Sequence, residues 1–212
     1  MPGYGGPFAY HDGTEYEGQY LYKMKTGMGR KLNDEGELYE GYFANNKENG
    51  EGRLIYINGD FYEGEFVDGH PEGTGKLYRL GGGLAYMGTF VGGKKEGQGR
   101  EEFVDGSYYE GEFRNDFWDG KGRYRLNKED YIEGEFFEGE LDGHGKHISN
   151  LISIGITKLG DETYVGAFLN GKKDGKGILE KKLGSKYEGD FVYGLKHGKG
   201  TLSRYIHYRL MG

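Results

Sequence analysis

A chain of 212 residues with 44 Gly, 20 Tyr, 12 Phe, three Pro and no Cys excludes disulfides and thiolate metal sites. It also argues against helix, because each interior Gly costs about 1 kcal/mol relative to Ala there. The net charge of −7 disfavours nucleic acid as a ligand. The charge is uneven: residues 1–146 carry 17 basic against 29 acidic side chains (−12), and residues 147–212 carry 11 against 6 (+5), an asymmetry that fits two ends with different partners or, alternatively, a solvated surface that shows it by chance. No stretch reaches the roughly 20 apolar residues of a membrane span. Met1-Pro2-Gly3-Tyr4-Gly5-Gly6 lacks the basic and apolar parts of a signal peptide, so a soluble, cytoplasmic protein is expected.

Taken in chain order, the sequence is a repeat. Gly6-Pro7-Phe8-Ala9-Tyr10 reads as the second half of a unit, as if the chain began mid-repeat. Tyr16-Glu17-Gly18-Gln19-Tyr20 opens the first full unit. The same Tyr-x-Gly-x-aromatic pattern returns at 39–43, 62–66, 86–90, 109–113, 132–136, 164–168 and 187–191. Successive central glycines are 23, 23, 24, 23, 23, 32 and 23 residues apart. Nine residues after each central glycine begins a Gly-x-Gly pair, at Gly27, Gly50, Gly73, Gly97, Gly120, Gly143, Gly175 and Gly198. That offset never varies, so all change of length falls in the other connection.

Each unit reads as a β-hairpin. In 60–66 strand alternation puts Tyr62, Gly64 and Phe66 on one face and Glu63 and Glu65 on the other. Residues 67–72 read as a polar loop and 73–78 as the returning strand. Gly13, Gly36, Gly59, Gly83, Gly106 and Gly184 mark the turn to the next unit. Gly in a strand interior marks close approach by another group, so each aromatic ring is expected to lie over a Gly of a neighbouring strand. On the opposite face Arg30, Arg53, Lys76, Arg100, Arg123 and Lys146 follow the Gly-x-Gly pairs. They are expected to pair with Glu17, Glu40, Glu63, Glu110, Glu133 and Glu188 in a ladder of cross-strand charges, each contributing roughly 0.2–1 kcal/mol.

Tyr62-Glu63-Gly64-Glu65-Phe66 with Gly73-x-Gly75, and Tyr187-Glu188-Gly189-Asp190-Phe191 with His197-Gly198-Lys199-Gly200, resemble the MORN (membrane occupation and recognition nexus) repeat. The resemblance covers about residues 4–202. It implies an all-β fold, an elongated, single-layer, twisted antiparallel meander of about eight tandem hairpins in which each repeat depends on its neighbours. The whole chain, 1–212, reads as one array, with an irregular insertion near 147–158 and a short tail at 203–212. Ile132 in place of Tyr and the extra residues before Tyr164 both fall near unit six, where a kink is expected.

No catalytic, cofactor-binding or metal-ligating set stands out. His144 and His147 would point to opposite faces of a strand, and the carboxylates alternate onto the charged face. No nucleophile motif such as Gly-x-Ser-x-Gly is present. Gly88-Thr89-Phe90-Val91-Gly92-Gly93-Lys94 mimics a phosphate loop but has Lys95 where Ser or Thr is required. The chain is therefore expected to be no enzyme, with no cofactor, nucleic acid or small-molecule substrate.

Three features exceed what the repeat requires. Phe117 and Trp118, the only Trp, sit in a loop that is polar in most units, where an exposed aromatic would anchor a partner; the alternative is that both fold back on their own sheet. Residues 148–158, with Ile152 and Ile154, form the most aliphatic segment, a strand for a partner or a longer hairpin. Lys94, Lys95, Lys172, Lys173 and Lys196 make basic hairpin loops that could meet an anionic membrane at about 1 kcal/mol per charge, or form a solvated edge. The tail, with Tyr205, Ile206, Tyr208 and Leu210, could add a strand to a partner or fold back on the last unit. The resemblance implies a non-catalytic scaffold that joins other proteins of a larger assembly in the cytoskeleton, such as the axoneme of a cilium or flagellum. Its alternatives are a membrane-associated tether that binds anionic phospholipids through the basic loops, and an accessory subunit of another large complex.

Overall fold

The computed structural model describes residues 3–149, 162–182 and 184–204. They form strands and turns, with no helix among them. The chain divides into two compact units, Met1–Glu102 with Arg114–Asp116, and Phe103–Phe113 with Phe117–Gly212. The first holds β1 (Gly3–Ala9), β2 (Glu15–Leu21), β3 (Met24–Leu32), β4 (Leu38–Ala44), β5 (Lys47–Ile55), β6 (Phe61–Val67), β7 (His70–Tyr78), β8 (Leu84–Val91) and β9 (Lys94–Glu102). The second holds β10 (Tyr108–Arg114), β11 (Phe117–Arg125), β12 (Tyr131–Phe137), β13 (Glu140–Ser149), β14 (Glu162–Leu169), β15 (Lys172–Lys181), β16 (Ser185–Val192) and β17 (Leu195–Arg204). Within each unit every strand pairs antiparallel with its neighbours in sequence, which is the expected meander of hairpins.

The glycines are in register. In the first unit Gly18, Gly29, Gly41, Gly52, Gly64, Gly75, Gly88 and Gly99 face one another from strand to strand. Gly122, Gly134, Gly145, Gly166, Gly177, Gly189 and Gly200 do the same in the second. Each repeat tyrosine lies over this stripe. A Cβ added to Gly52 would stand 2.6 Å from two carbons of the Tyr39 ring. The phenol donates a hydrogen bond to the backbone carbonyl three residues on: Tyr39 to Tyr42 at 2.9 Å, Tyr62 to Glu65 at 3.1 Å and Tyr164 to Ala167 at 3.0 Å. Tyr62, Tyr86 and Tyr109 are completely buried. Over the paired glycines the rings are thus those of the tyrosines.

The phenylalanines wedge between them. In the first unit ring centroids run Tyr16 to Phe43 at 5.0 Å, Phe43 to Tyr39 at 5.2 Å, Tyr39 to Phe66 at 4.8 Å and Phe66 to Tyr62 at 5.2 Å, all edge to face. Tyr62 to Phe90 and Phe90 to Tyr86 continue the series. In the second unit Tyr164 meets Phe168 and Phe191 at 5.0 Å each. Each contact of this kind is worth about 0.5–1.5 kcal/mol beyond the area it buries. These aromatic rows are the core.

Two expectations need correction. The polar loop at 67–72 is a two-residue turn, Asp68-Gly69, both with positive φ (51° and 94°). Turns of that kind match the twist of a hairpin, and the register shift after it is a β-bulge at Gly73-Thr74, opposite the step from Gly64 to Glu65. The turn glycine of the fourth unit is Gly82, at φ 87°, whose N–H bonds to the Arg79 carbonyl; Gly83 is not in that conformation. Near unit six, Gly134, Gly145 and Gly166 keep the register. There Leu141, only 5% exposed, brings its methyl groups into the space above Gly134 and Gly145 that a tyrosine fills elsewhere. Residues 147–149 belong to β13 and Ser203 and Arg204 to β17. The rest of the expected insertion and tail lies outside the described residues.

The ring-over-glycine packing has a direct test. Gly75→Ala places a methyl against the Tyr62 ring, whereas Gly83→Ala meets nothing within 4 Å. We expect Gly75→Ala to destabilise by about 1–3 kcal/mol, as overpacking does, and Gly83→Ala to leave the melting temperature unchanged. Thermal melts followed by circular dichroism compare the two.

Candidate interaction surfaces

The second residue after each two-residue turn sits opposite the aromatic that ends the preceding strand. The pairs are Tyr20 with Lys25, Phe43 with Glu48, Phe66 with Pro71, Phe90 with Lys95, Phe136 with Leu141, Phe168 with Lys173 and Phe191 with Lys196. From there a lysine side chain reaches over the repeat tyrosine. Lys25, Lys95, Lys173 and Lys196 hold their ammonium groups 4.9, 5.0, 5.2 and 4.6 Å from the ring centroids of Tyr16, Tyr86, Tyr164 and Tyr187, a cation–π geometry. Trp118 occupies the same place in the fifth repeat and stacks on Tyr109 at 4.2 Å and 5°. The carbonyl of the covering residue also accepts a hydrogen bond from the turn of the next hairpin: Gly69 N–H to Glu48 and Gly93 N–H to Pro71, both at 2.9 Å, and Gly194 N–H to Lys173 at 2.8 Å. One position therefore shields the core ring and ties each hairpin to the next.

That position contains four of the residues singled out from the sequence: Lys95, Lys173, Lys196 and Trp118. Lys95 is half-buried and ion-paired with Glu101, and Lys173 pairs with Glu162 at 3.0 Å. Lys94 and Lys172 stand exposed beside the turns, with Lys94 3.4 Å from the Asn115 side-chain oxygen. The five lysines thus divide into three ring covers and two solvated side chains. Phe117 points outward at 54% exposure, while the Trp118 indole also meets Phe103 and Phe136 edge to face. Ile152, Ile154, Tyr205, Ile206, Tyr208 and Leu210 lie outside the described residues.

The face opposite the tyrosines carries the charges in the expected register. Glu17, Arg30, Glu40, Arg53, Glu63 and Lys76 alternate across six strands. Arg53 and Glu63 approach to 3.8 Å and Arg123 and Glu133 to 2.6 Å. Beside this row runs one that the sequence reading missed. Leu32, Leu38, Ile55, Phe61, Tyr78 and Leu84 face one another on successive strands. Phe61 stacks on Tyr78 at 4.7 Å, and the Arg53 guanidinium lies 4.0 Å above the Phe61 ring. Leu38 and Phe61 directly precede the repeat tyrosines, and alternation assigns them to the charged face; that was the available signal. The result is a half-buried apolar row bordered by alternating charge.

Nothing in the described residues gathers three or more His, Asp or Glu side chains into a metal-binding group. His144 is exposed. His147 is half-buried, and burial, followed by the charge of Lys173, lowers its pKa. No helix among the described residues is long and apolar enough to cross a membrane. Burial pushes the phenols of Tyr16 and Tyr164 up to about 12 from an ordinary 10.0 and raises those of Tyr39, Tyr62, Tyr86 and Tyr109 as well.

A family model described as MORN repeat matches seven segments, residues 39–61, 62–82, 86–108, 109–130, 133–150, 164–182 and 187–205. The hairpin of β2 and β3 has the same geometry ahead of the first matched segment. The MORN repeat is a non-catalytic module of proteins that bind proteins or membranes. No curated protein matches the chain. Among solved structures, the SAS-4 (dCPAP) TCP domain in complex with a proline-rich motif of Ana2 (dSTIL) of Drosophila melanogaster is similar at 13% identity. That match covers 96% of this chain and 90% of the other, with a TM-score of 0.40.

Two predictions follow from the covered tyrosines. Trp118→Ala, which uncovers Tyr109, should lower stability by about 3 kcal/mol, the low end for removal of a large aromatic from a core. Phe117→Ala should change it by less than about 0.5 kcal/mol; chemical denaturation of both variants decides. The second concerns pH. The folded phenols bind their protons more tightly than the unfolded ones, so their contribution is complete below about pH 10 and is lost as pH rises toward 12. The exposed tyrosines, such as Tyr22 and Tyr193, ionise without disturbing the sheet, so only the last stage of the tyrosinate absorbance at 295 nm should appear together with loss of the β-sheet circular dichroism signal. Complete ionisation of the tyrosines with the sheet intact would contradict the burial argument.

Proposed function

The chain belongs to the MORN-repeat family, and we propose that it is a non-catalytic scaffold that binds other proteins of a cytoskeletal assembly, the axoneme of a cilium or flagellum being the setting proposed. The observation that carries the protein-binding reading is the apolar row of Leu38, Ile55, Phe61, Tyr78 and Leu84 with its border of alternating charge. Apolar and aromatic side chains amid paired charges suit a protein surface, whereas an anionic membrane calls for unpaired lysines. Three of the five lysines in the hairpin loops instead cover core tyrosines. The cytoskeletal setting rests on the family.

Detergent extraction of cells expressing the tagged chain tests both parts. The protein should remain with the insoluble cytoskeleton, and a Phe61→Gln, Tyr78→Gln variant with an unchanged circular dichroism spectrum should be released at least in part. Vesicles of phosphatidylcholine with 5% phosphatidylinositol 4,5-bisphosphate should not sediment the protein at physiological salt. Sedimentation with vesicles, lost on Lys94→Glu and Lys172→Glu, would favour the membrane tether instead.

A further inference from the structure

The charge ladder of the second unit has a defect of definite shape. In the first unit the first strand of three hairpins supplies an acid and the returning strand a base, from Glu17 and Arg30 to Glu63 and Lys76, and in the fourth Met87 stands between the two bases Lys76 and Arg100. The second unit continues so through Arg123, Glu133 and Lys146. The row then runs Val165, Ile178, Glu188 and Thr201. Val165 stands in an acid's place, and Ile178 and Thr201 in the places of two bases. Glu188 keeps its carboxylate, but both its cross-strand neighbours are uncharged. It is exposed and takes part in no ion pair of the described residues, while nearby Lys176 is tied to Asp190 at 2.8 Å.

The same residues line an open groove of about 680 Å³ whose floor is the bare backbone of the glycine stripe. Val165, at 41% exposure, and Ile178 form its apolar part. Glu188 and Thr201 continue it, and His144 and Lys199 border it.

We infer that this groove binds an extended segment of a partner protein that seats an apolar side chain on Val165 and Ile178 and an arginine on Glu188. The inference rests on the protein-binding reading above and names the partner's chemistry at one place. Strands lie about 4.8 Å apart, so the midpoint of Val165 and Ile178 is about one and a half strand spacings, or roughly 7 Å, from Glu188. Alternate side chains on one face of an extended chain are about 6.8 Å apart. The groove therefore selects an apolar residue and a base with any one residue between them. Arginine suits the base better than lysine because its planar fork can bond both carboxylate oxygens. The partner's arginine occupies the place that a base holds elsewhere in the ladder.

A library of random 12-residue peptides displayed on phage and selected on the full chain tests this. Enriched peptides should share an apolar residue two positions from Arg, on the same side of it throughout. Against the best of them, measured by fluorescence polarisation, Glu188→Lys should weaken binding by at least about tenfold. Replacing the peptide's Arg by Glu should restore affinity for that variant. Thr201→Arg, which supplies the missing ladder base in cis, should also abolish binding while leaving the melting temperature unchanged or higher. Failure to enrich peptides, enrichment of peptides without a base, or binding by Glu188→Lys or Thr201→Arg as tight as that of the wild type would overturn the inference. So would a dimer in light scattering that Glu188→Lys dissolves, or binding of phosphoinositide vesicles that is lost on Lys199→Glu. Retention of Glu188→Lys in the cytoskeletal fraction sinks only the groove; loss of wild-type retention sinks the scaffold reading.

Discussion

A tyrosine lying on a pair of glycines is the contact on which the rest of the fold depends. A sheet without a second layer must hide its backbone by itself, and an aromatic ring laid along the strand does so only where no Cβ intervenes. Gly64 and Gly75 leave that space for Tyr62. The bulge that follows the glycine register frees the Glu65 carbonyl, and the Tyr62 hydroxyl takes it up at 3.1 Å. Turn, bulge, glycine pair and phenol are thus one device. The offset of nine residues between the central glycine and the Gly-x-Gly pair is constant because the turn and bulge between them have fixed length. The connection to the next hairpin lies outside this device, so insertions collect there, as before Tyr86 and Tyr164.

The covering position shows how much chemical freedom the device leaves. Its occupant must shield a ring edge and present its carbonyl to the next turn, and any residue supplies the carbonyl. Lys does the shielding with its charge over the ring, and Trp118 by stacking. Leu141 goes further. With Ile132 in the tyrosine's place, Leu141 moves into the vacant space over Gly134 and Gly145, and the sheet keeps its register. The two departures in the sixth repeat therefore belong together as one packing solution.

The parts of this design that depend on glycine and aromatic spacing were legible in the sequence, because only Gly and only a large ring satisfy them. Gly52 under Tyr39 and Gly75 under Tyr62 could be read from period and alternation alone. The covering residues could not. Lys95, Trp118, Leu141 and Lys173 share no chemical class, so they were read separately, as lipid ligands, a partner anchor or nothing. Asp68-Gly69 was hidden in a longer loop because its polar neighbours in fact belong to strands. Phe61 was overlooked beside Glu63 since a face once labelled charged gave no reason to look for an apolar row on it.

The two faces of the sheet are under unequal constraint, and this decides where recognition can evolve. The tyrosine face tolerates replacement only by compensated pairs, as Ile132 and Leu141 show, because a lost ring exposes backbone and orphans a carbonyl. The charge ladder on the other face is worth little per rung, since exposed ion pairs contribute at most about 1 kcal/mol. That Thr201 is no base and Val165 no acid therefore costs the fold almost nothing. A stretch such as Val165, Ile178 and Glu188 can depart from the ladder, keep the glycine register beneath it, and acquire a composition suited to a partner. Specificity in a repeat of this kind should accordingly be sought where the weak ladder breaks, over a backbone that the strong one holds unchanged.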